Sequence, residues 1–169
     1  MIKLEYKAYN SKYPVFFHDE KRLLETAVNN ETEIIHIGST SIHGLGGKDV
    51  IDIMIASVDS ELKKIKDKLL TLDYDYNHEL SFGERYFFSK EKEKNYNQIR
   101  VHLHLTAKNS DAHKKAVLFK NHLLNNKDLA LEYENLKKNI IEETKGDYTK
   151  YRELKNKYID KIFKSTYSN

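Results

Sequence analysis

The 169-residue sequence has no cysteine and a single proline, Pro14. Without thiols there can be no disulfide and no thiolate nucleophile, so any metal would have to be held by His, Asp or Glu. There is no apolar run near the roughly 18 residues that span a bilayer, and the N-terminal MIKLEYKAYN has no apolar secretory core. These absences give no address to a membrane or an export route and point to the cytoplasm. Charge of one sign is lacking too: 29 Lys and Arg stand against 26 Asp and Glu, a net +3, interspersed along the chain. A dedicated nucleic-acid binder would gather its cations into one footprint, so that class is set aside, and the lysine-rich C-terminal third reads as a solvated helix face. Glycine is scarce, 6 in all, yet Gly38, Gly44, Gly46 and Gly47 crowd into one short stretch.

What is present reads as one globular α/β (α+β) domain over residues 1–169, with 39% hydrophobic and 33% charged residues. Pro14 opens an amphipathic segment, Val15, Phe16, Leu23, Leu24 and Val28, which predicts a helix over 14–29. EIIHIG reads as a buried strand ending in a glycine turn, and VIDIMIAS as a central strand covered on both faces. A helix is expected from Asp59 to Leu72. Short strands follow at Tyr74 and Tyr76 and from Glu84 to Lys90, then a charged turn from Lys90 to Asn95 and a longer strand, QIRVHLHLT. From Asp111 onward the pattern is helical, with breaks near Asn125 to Lys127 and at Gly146, giving three helices. The expected fold is a small mixed sheet with helices packed against it and a helical C-terminal third.

Chemistry concentrates between Ile34 and Ile55. Amides freed by Gly38, Gly44, Gly46 and Gly47, the hydroxyls of Ser39, Thr40 and Ser41, and the Lys48 ammonium can converge on an anion such as phosphate. A plain glycine-rich turn is the competing reading, since Gly and Ser are ordinary turn residues. Asp52 tips the balance, because an unpaired carboxylate buried in a strand costs several kcal/mol, and beside a phosphate it would hold a divalent ion. His102 and His104, two apart on a strand, project from one face and would meet Asp52 if the strands are neighbours. They could ligate metal, exchange protons or contact phosphate. His36, at the end of the first strand, is a candidate to join them. Arg85 can reach a phosphate bidentately or serve an ordinary ion pair.

The run HIGSTSIHGLGGKDVIDI at 36–53, VHLHL at 101–105, and the pattern Leu118, Phe119, Tyr133, Leu136 and Lys137 closely resemble the GrpB family, which is grouped with the nucleotidyltransferase-like fold. The resemblance implies a site at the glycine-serine turn. Active nucleotidyltransferases place such a turn ahead of an Asp-x-Asp pair, with a third carboxylate on a later strand, and together these hold two Mg²⁺ ions. Here Gly38 and Ser39 match the turn and Asp52 one member of the pair, but Val50 and Met54 stand where the second would be, and His102 and His104 replace the third. Asp49 should point to the opposite face. By resemblance, Lys137 with Tyr133 and Lys155 with Tyr151 would line the rim of the site, with packing between helices the competing reading for the tyrosines.

The resemblance thus implies a nucleotide or phosphorylated small molecule as partner and a divalent metal as cofactor, Mg²⁺ or Mn²⁺ or, given the imidazoles, Zn²⁺. Ser39, Asp52 and His104 are the catalytic candidates. Gly38, Ser39, Thr40, Ser41, Lys48 and Arg85 are the candidates for binding the ligand, and Asp52, His102 and His104 for binding the metal. Two functions compete: metal-dependent transfer of a nucleotidyl group, and a noncatalytic nucleotide- or metabolite-binding module that has lost the two-metal chemistry. A histidine-based metal hydrolase is a third.

Overall fold

The computed structural model describes residues 4–83, 85–94 and 97–167. Helix α1 (Tyr13–Leu24) leads into β1 (Glu33–Ile37), a 3₁₀ turn (Ser39–Ser41), β2 (Val50–Ser57), α2 (Asp59–Thr71), β3 (Asp75–Phe82), β4 (Arg85–Lys94) and β5 (Asn97–Ala107). Three helices follow: α3 (Asp111–Asn125), α4 (Lys127–Glu143) and α5 (Tyr148–Tyr167). The five strands form one sheet in the order β1-β2-β5-β4-β3, with β2 parallel to β5 and every other pair antiparallel, so the sheet is mixed as expected. No helix among the described residues is long and apolar enough to cross a membrane.

The period-two alternation of strands decides what each face carries. Ile51, Ile53 and Ile55 of β2 and Val101, Leu103 and Leu105 of β5 turn to one side, where they pack with Tyr13, Phe17 and Leu24 of α1 and Ile65 and Leu69 of α2. Burying a Leu or Ile side chain in this way stabilises by about 1.5–3 kcal/mol, and this layer is the main core. The opposite face of the same strands carries Asp52, Met54, His102 and His104 beneath α3 and α5. A second apolar cluster, Ile42, Leu45, Leu123 and Tyr133, joins the loop after β1 to α3 and α4.

Several boundaries depart from the pattern of the sequence. Helix α1 stops at Leu24 rather than near 29, and the Thr26 hydroxyl donates to the Leu23 carbonyl at 2.7 Å, a local bond that competes with continuing the helix. Val28 still reaches the core from the turn that follows. The charged segment after Lys90 is not a turn through Lys94: it continues β4, paired in register from Lys90↔Val101 to Lys94↔Asn97, and Arg100 meets Glu91 at 2.9 Å across the ladder. Glu84 and Asn95, at the edges of that expectation, lie outside the described residues. The break near 126 is a shared cap, where Asn126 ends α3 and its side chain accepts from the Leu129 amide at 3.0 Å to begin α4. The break at Gly146 is a left-handed C-terminus, φ +79°.

Candidate functional site

The turn after β1 is built around the carboxylate it covers. Gly38 has φ +70°, and a Cβ there would lie 2.7 Å from Asp52 Oδ2, so both backbone and space demand glycine. At Gly46 the constraint is space alone, because a Cβ would overlap the Tyr6 hydroxyl and crowd the Lys7 carbonyl. The backbones of Lys7 and Gly47 exchange two hydrogen bonds, 2.7 and 2.9 Å, that tie the loop to the N-terminal segment.

The three hydroxyls of the turn have different partners. Ser41 donates to the Gly38 carbonyl at 2.7 Å and closes the 3₁₀ turn. Thr40 is buried and faces inward, 2.9 Å from His36 Nε2 and 3.2 Å from the Val50 carbonyl to which it donates. Thr40 therefore supports the turn from within rather than facing a ligand. Ser39 Oγ accepts from Lys137 Nζ at 2.7 Å, and the same ammonium donates to the Gly46 carbonyl. Lys137 is fully buried, and burial pulls its pKa down to about 7 against the pull of Glu134.

On the strands, Asp52 pairs in register with His102, and His104 lies two residues along the same face. Asp52 Oδ1 is 3.5 Å from His102 Nδ1 and 3.8 Å from His104 Nε2. Lys48 Nζ stands 3.3 Å from His102 Nδ1, and the Phe87 ring meets both imidazoles edge-on at 5.0 and 5.2 Å. Burial alone would raise the Asp52 carboxyl, but Lys48 and the two imidazoles outweigh it and hold it well below the usual carboxylate range. Burial lowers His102 and takes His104 down to about 4, so both rings are neutral at pH 7. His36 does not join them. It pairs with Ile53, which turns it to the α1 side, where it stacks on Phe17 at 4.6 Å. Asp49, with φ +59°, gives its carboxylate to the Tyr13 hydroxyl of α1 at 2.7 Å.

Cations from distant parts of the chain converge on this face. Burial and then Arg152 lower the Arg85 guanidinium, while Asp52 works against them. Lys155 is pulled down to about 8 by burial and by Lys48, Arg85 and Arg152, again opposed by Asp52. Asp52 thus acts on both Arg85 and Lys155, and Lys48 acts in turn on Asp52. Arg152 and Lys155 come from α5; the Tyr–x–x–x–Lys spacing of Tyr133 with Lys137, repeated by Tyr151 with Lys155, signals Lys155 in the sequence, and nothing there marks Arg152. Two clefts open beside Asp52. His104, Arg85 and Met54 border one of about 500 Å³ between α3 and α5, and His102, Lys48 and Phe87 border another of about 520 Å³ toward Tyr148.

The residues present do not fit a resident divalent ion. Among the described residues no three His, Asp or Glu side chains are arranged to hold one. Lys48 already brings a positive charge to His102 Nδ1. His104 Nδ1 is buried with no hydrogen-bond partner among the described residues, whereas a histidine that ligates through one nitrogen normally donates from the other. The set Asp52, His102 and His104 therefore comes together as expected but not as a metal cage.

A glycine-serine turn thus roofs a strand carboxylate on a mixed sheet flanked by helices. The family model described as "GrpB protein" matches residues 3–165, and the chain belongs to the GrpB family. It is 28% identical over 149 residues to the glutamate-rich protein GrpB of Alkalihalophilus pseudofirmus, covering 86% of each chain. Its fold is similar to the crystal structure of the conserved protein GrpB from Enterococcus faecalis, with a TM-score of 0.74 at 20% identity over 94% of this chain and 99% of that one. A structure of the Cid1 poly(U) polymerase is similar over part of each chain, 69% of this one and 38% of that, with a TM-score of 0.45 and 12% identity.

Proposed function

We propose that the protein binds a nucleotide, or a similarly phosphorylated small molecule, in the cation-lined basin over Asp52, and that it does so as a binding module without resident metal. The observation that carries this reading is the positive charge gathered there: Lys48, Arg85, Arg152 and Lys155 lie within electrostatic reach of Asp52 or of one another, and Lys155 makes no hydrogen bond or ion pair among the described residues. Holding several cations together out of water costs free energy unless an anion joins them. A polyphosphate supplies that anion, and the guanidinium of Arg85 and the ammoniums of Lys48 and Lys155 are the donors suited to it.

Calorimetry with a nucleoside triphosphate in EDTA tests the reading. Metal-independent binding that Lys155→Met weakens at least tenfold supports it; no binding by the wild type overturns it. The second reading, nucleotidyl transfer, draws on the Gly38–Ser39 turn and the carboxylate beneath it. Asp52→Asn separates the two. A module keeps or tightens its hold on the triphosphate when a negative charge is withdrawn from an anion site, whereas a transferase loses its turnover.

A further inference from the structure

The two clefts beside Asp52 are of similar size and unlike chemistry. The one toward Tyr148 mixes charges of both signs, Glu5, Lys7, Asp49 and Arg100 among them. The one between α3 and α5 is walled by hydrocarbon and rings: Ile37 and Met54 rise from the sheet, and Phe119, Ile159 and Phe163 descend from the helices. On the α3 side, Ala112 and Ala116, one helical turn apart, keep the wall low and the slot wide. Its polar side chains divide by exposure. Asp111, Lys115 and Asn156 stand exposed at the rim, while Arg85 and His104 stand at the inner end, where they also belong to the basin over Asp52.

A slot with apolar walls, a hydrogen-bonding rim and a cationic inner end fits a ligand with a flat apolar body and an anionic tail. Its volume of about 500 Å³ lies within the range of small-molecule sites. Resting on the phosphate-ligand reading above, we propose that the α3–α5 cleft receives the nucleoside half of the ligand, with the base between Met54 and Phe119 and the phosphates running past Arg85 into the basin. The Tyr148 cleft, where charged side chains of both signs are interspersed with Leu4, Val50, Leu80 and Phe87, is the poorer host for a base because those charged groups would lose water without gaining partners.

The test compares a nucleoside triphosphate with inorganic tripolyphosphate by calorimetry in EDTA, on the wild type and on two variants that narrow the slot without touching the basin, Ala116→Phe and Ala112→Leu. The wild type should bind the nucleoside triphosphate at least tenfold more tightly than tripolyphosphate. Either folded variant should erase that preference and leave tripolyphosphate affinity within about twofold of the wild type. Equal affinity of the wild type for both ligands, or a preference that survives in both variants, overturns the slot while leaving the basin standing. Binding of neither ligand overturns the basin and the slot together.

Discussion

The two faces of β2 and β5 are made by the same two strands, one residue out of step, and they could hardly differ more. Toward α1 and α2 these strands turn Ile51, Ile53, Ile55, Val101, Leu103 and Leu105, and Ile53, Ile55, Leu103 and Leu105 have no exposure to solvent. Toward α3 and α5 the intervening positions hold Asp52, His102 and His104, flanked by cations from three other elements. Stability is thus concentrated on one face, and the other is released to carry groups that burial penalises. Neighbouring residues in sequence therefore answer to different pressures.

Substitutions can break that division. Leu103→Ala, on the hydrocarbon face, should cost about 2–5 kcal/mol, read as a fall in the denaturant midpoint, with ligand affinity unchanged in the folded fraction. Acid should expose both faces at once. Burial takes His36 and His104 down to about 4, while in the unfolded chain an imidazole titrates near its model value of 6.5. Their contribution is complete above pH 6.5 and is lost as pH falls toward 4, about 3 kcal/mol apiece. His36→Phe and His104→Phe should each flatten the acid limb of a pH–stability curve, but only the second should disturb ligand binding. Gly38→Ala forces a side chain into a conformation almost reserved for glycine and against Asp52, and should destabilise by about 1–3 kcal/mol, measured by thermal unfolding. Smallest and opposite in sign, Lys155→Met should stabilise the ligand-free protein by about 1 kcal/mol, because it removes a poorly compensated cation. If Lys155→Met destabilises instead, the contrast between the faces is weaker than drawn here.

Strand parity made much of this legible in the sequence. The spacing of His102 and His104, and of Asp52 with Ile51 and Ile53, places each on its face from alternation alone. Register between strands cannot be read that way: His36 lay near the candidate site in sequence, and only its pairing with Ile53 puts it on the other side. Polar composition misdirected the reading after Lys90, where cross-strand pairs sustain a ladder that charge alone would assign to a turn. The cations of α4 and α5 were harder still. Lysine on an amphipathic helix looks solvated until tertiary packing turns it inward, and only the Tyr133–x–x–x–Lys137 spacing sets Lys137 apart from the exposed Lys138 beside it.

Lys137 acts as a bolt. Its ammonium fastens the middle of α4 to Ser39, 98 positions earlier, and to Gly46 across the same loop. Helix α4 and the glycine-serine turn are therefore one mechanical unit, so a residue inserted at the junction before α4 would be felt first at the roof over Asp52, far from the lesion.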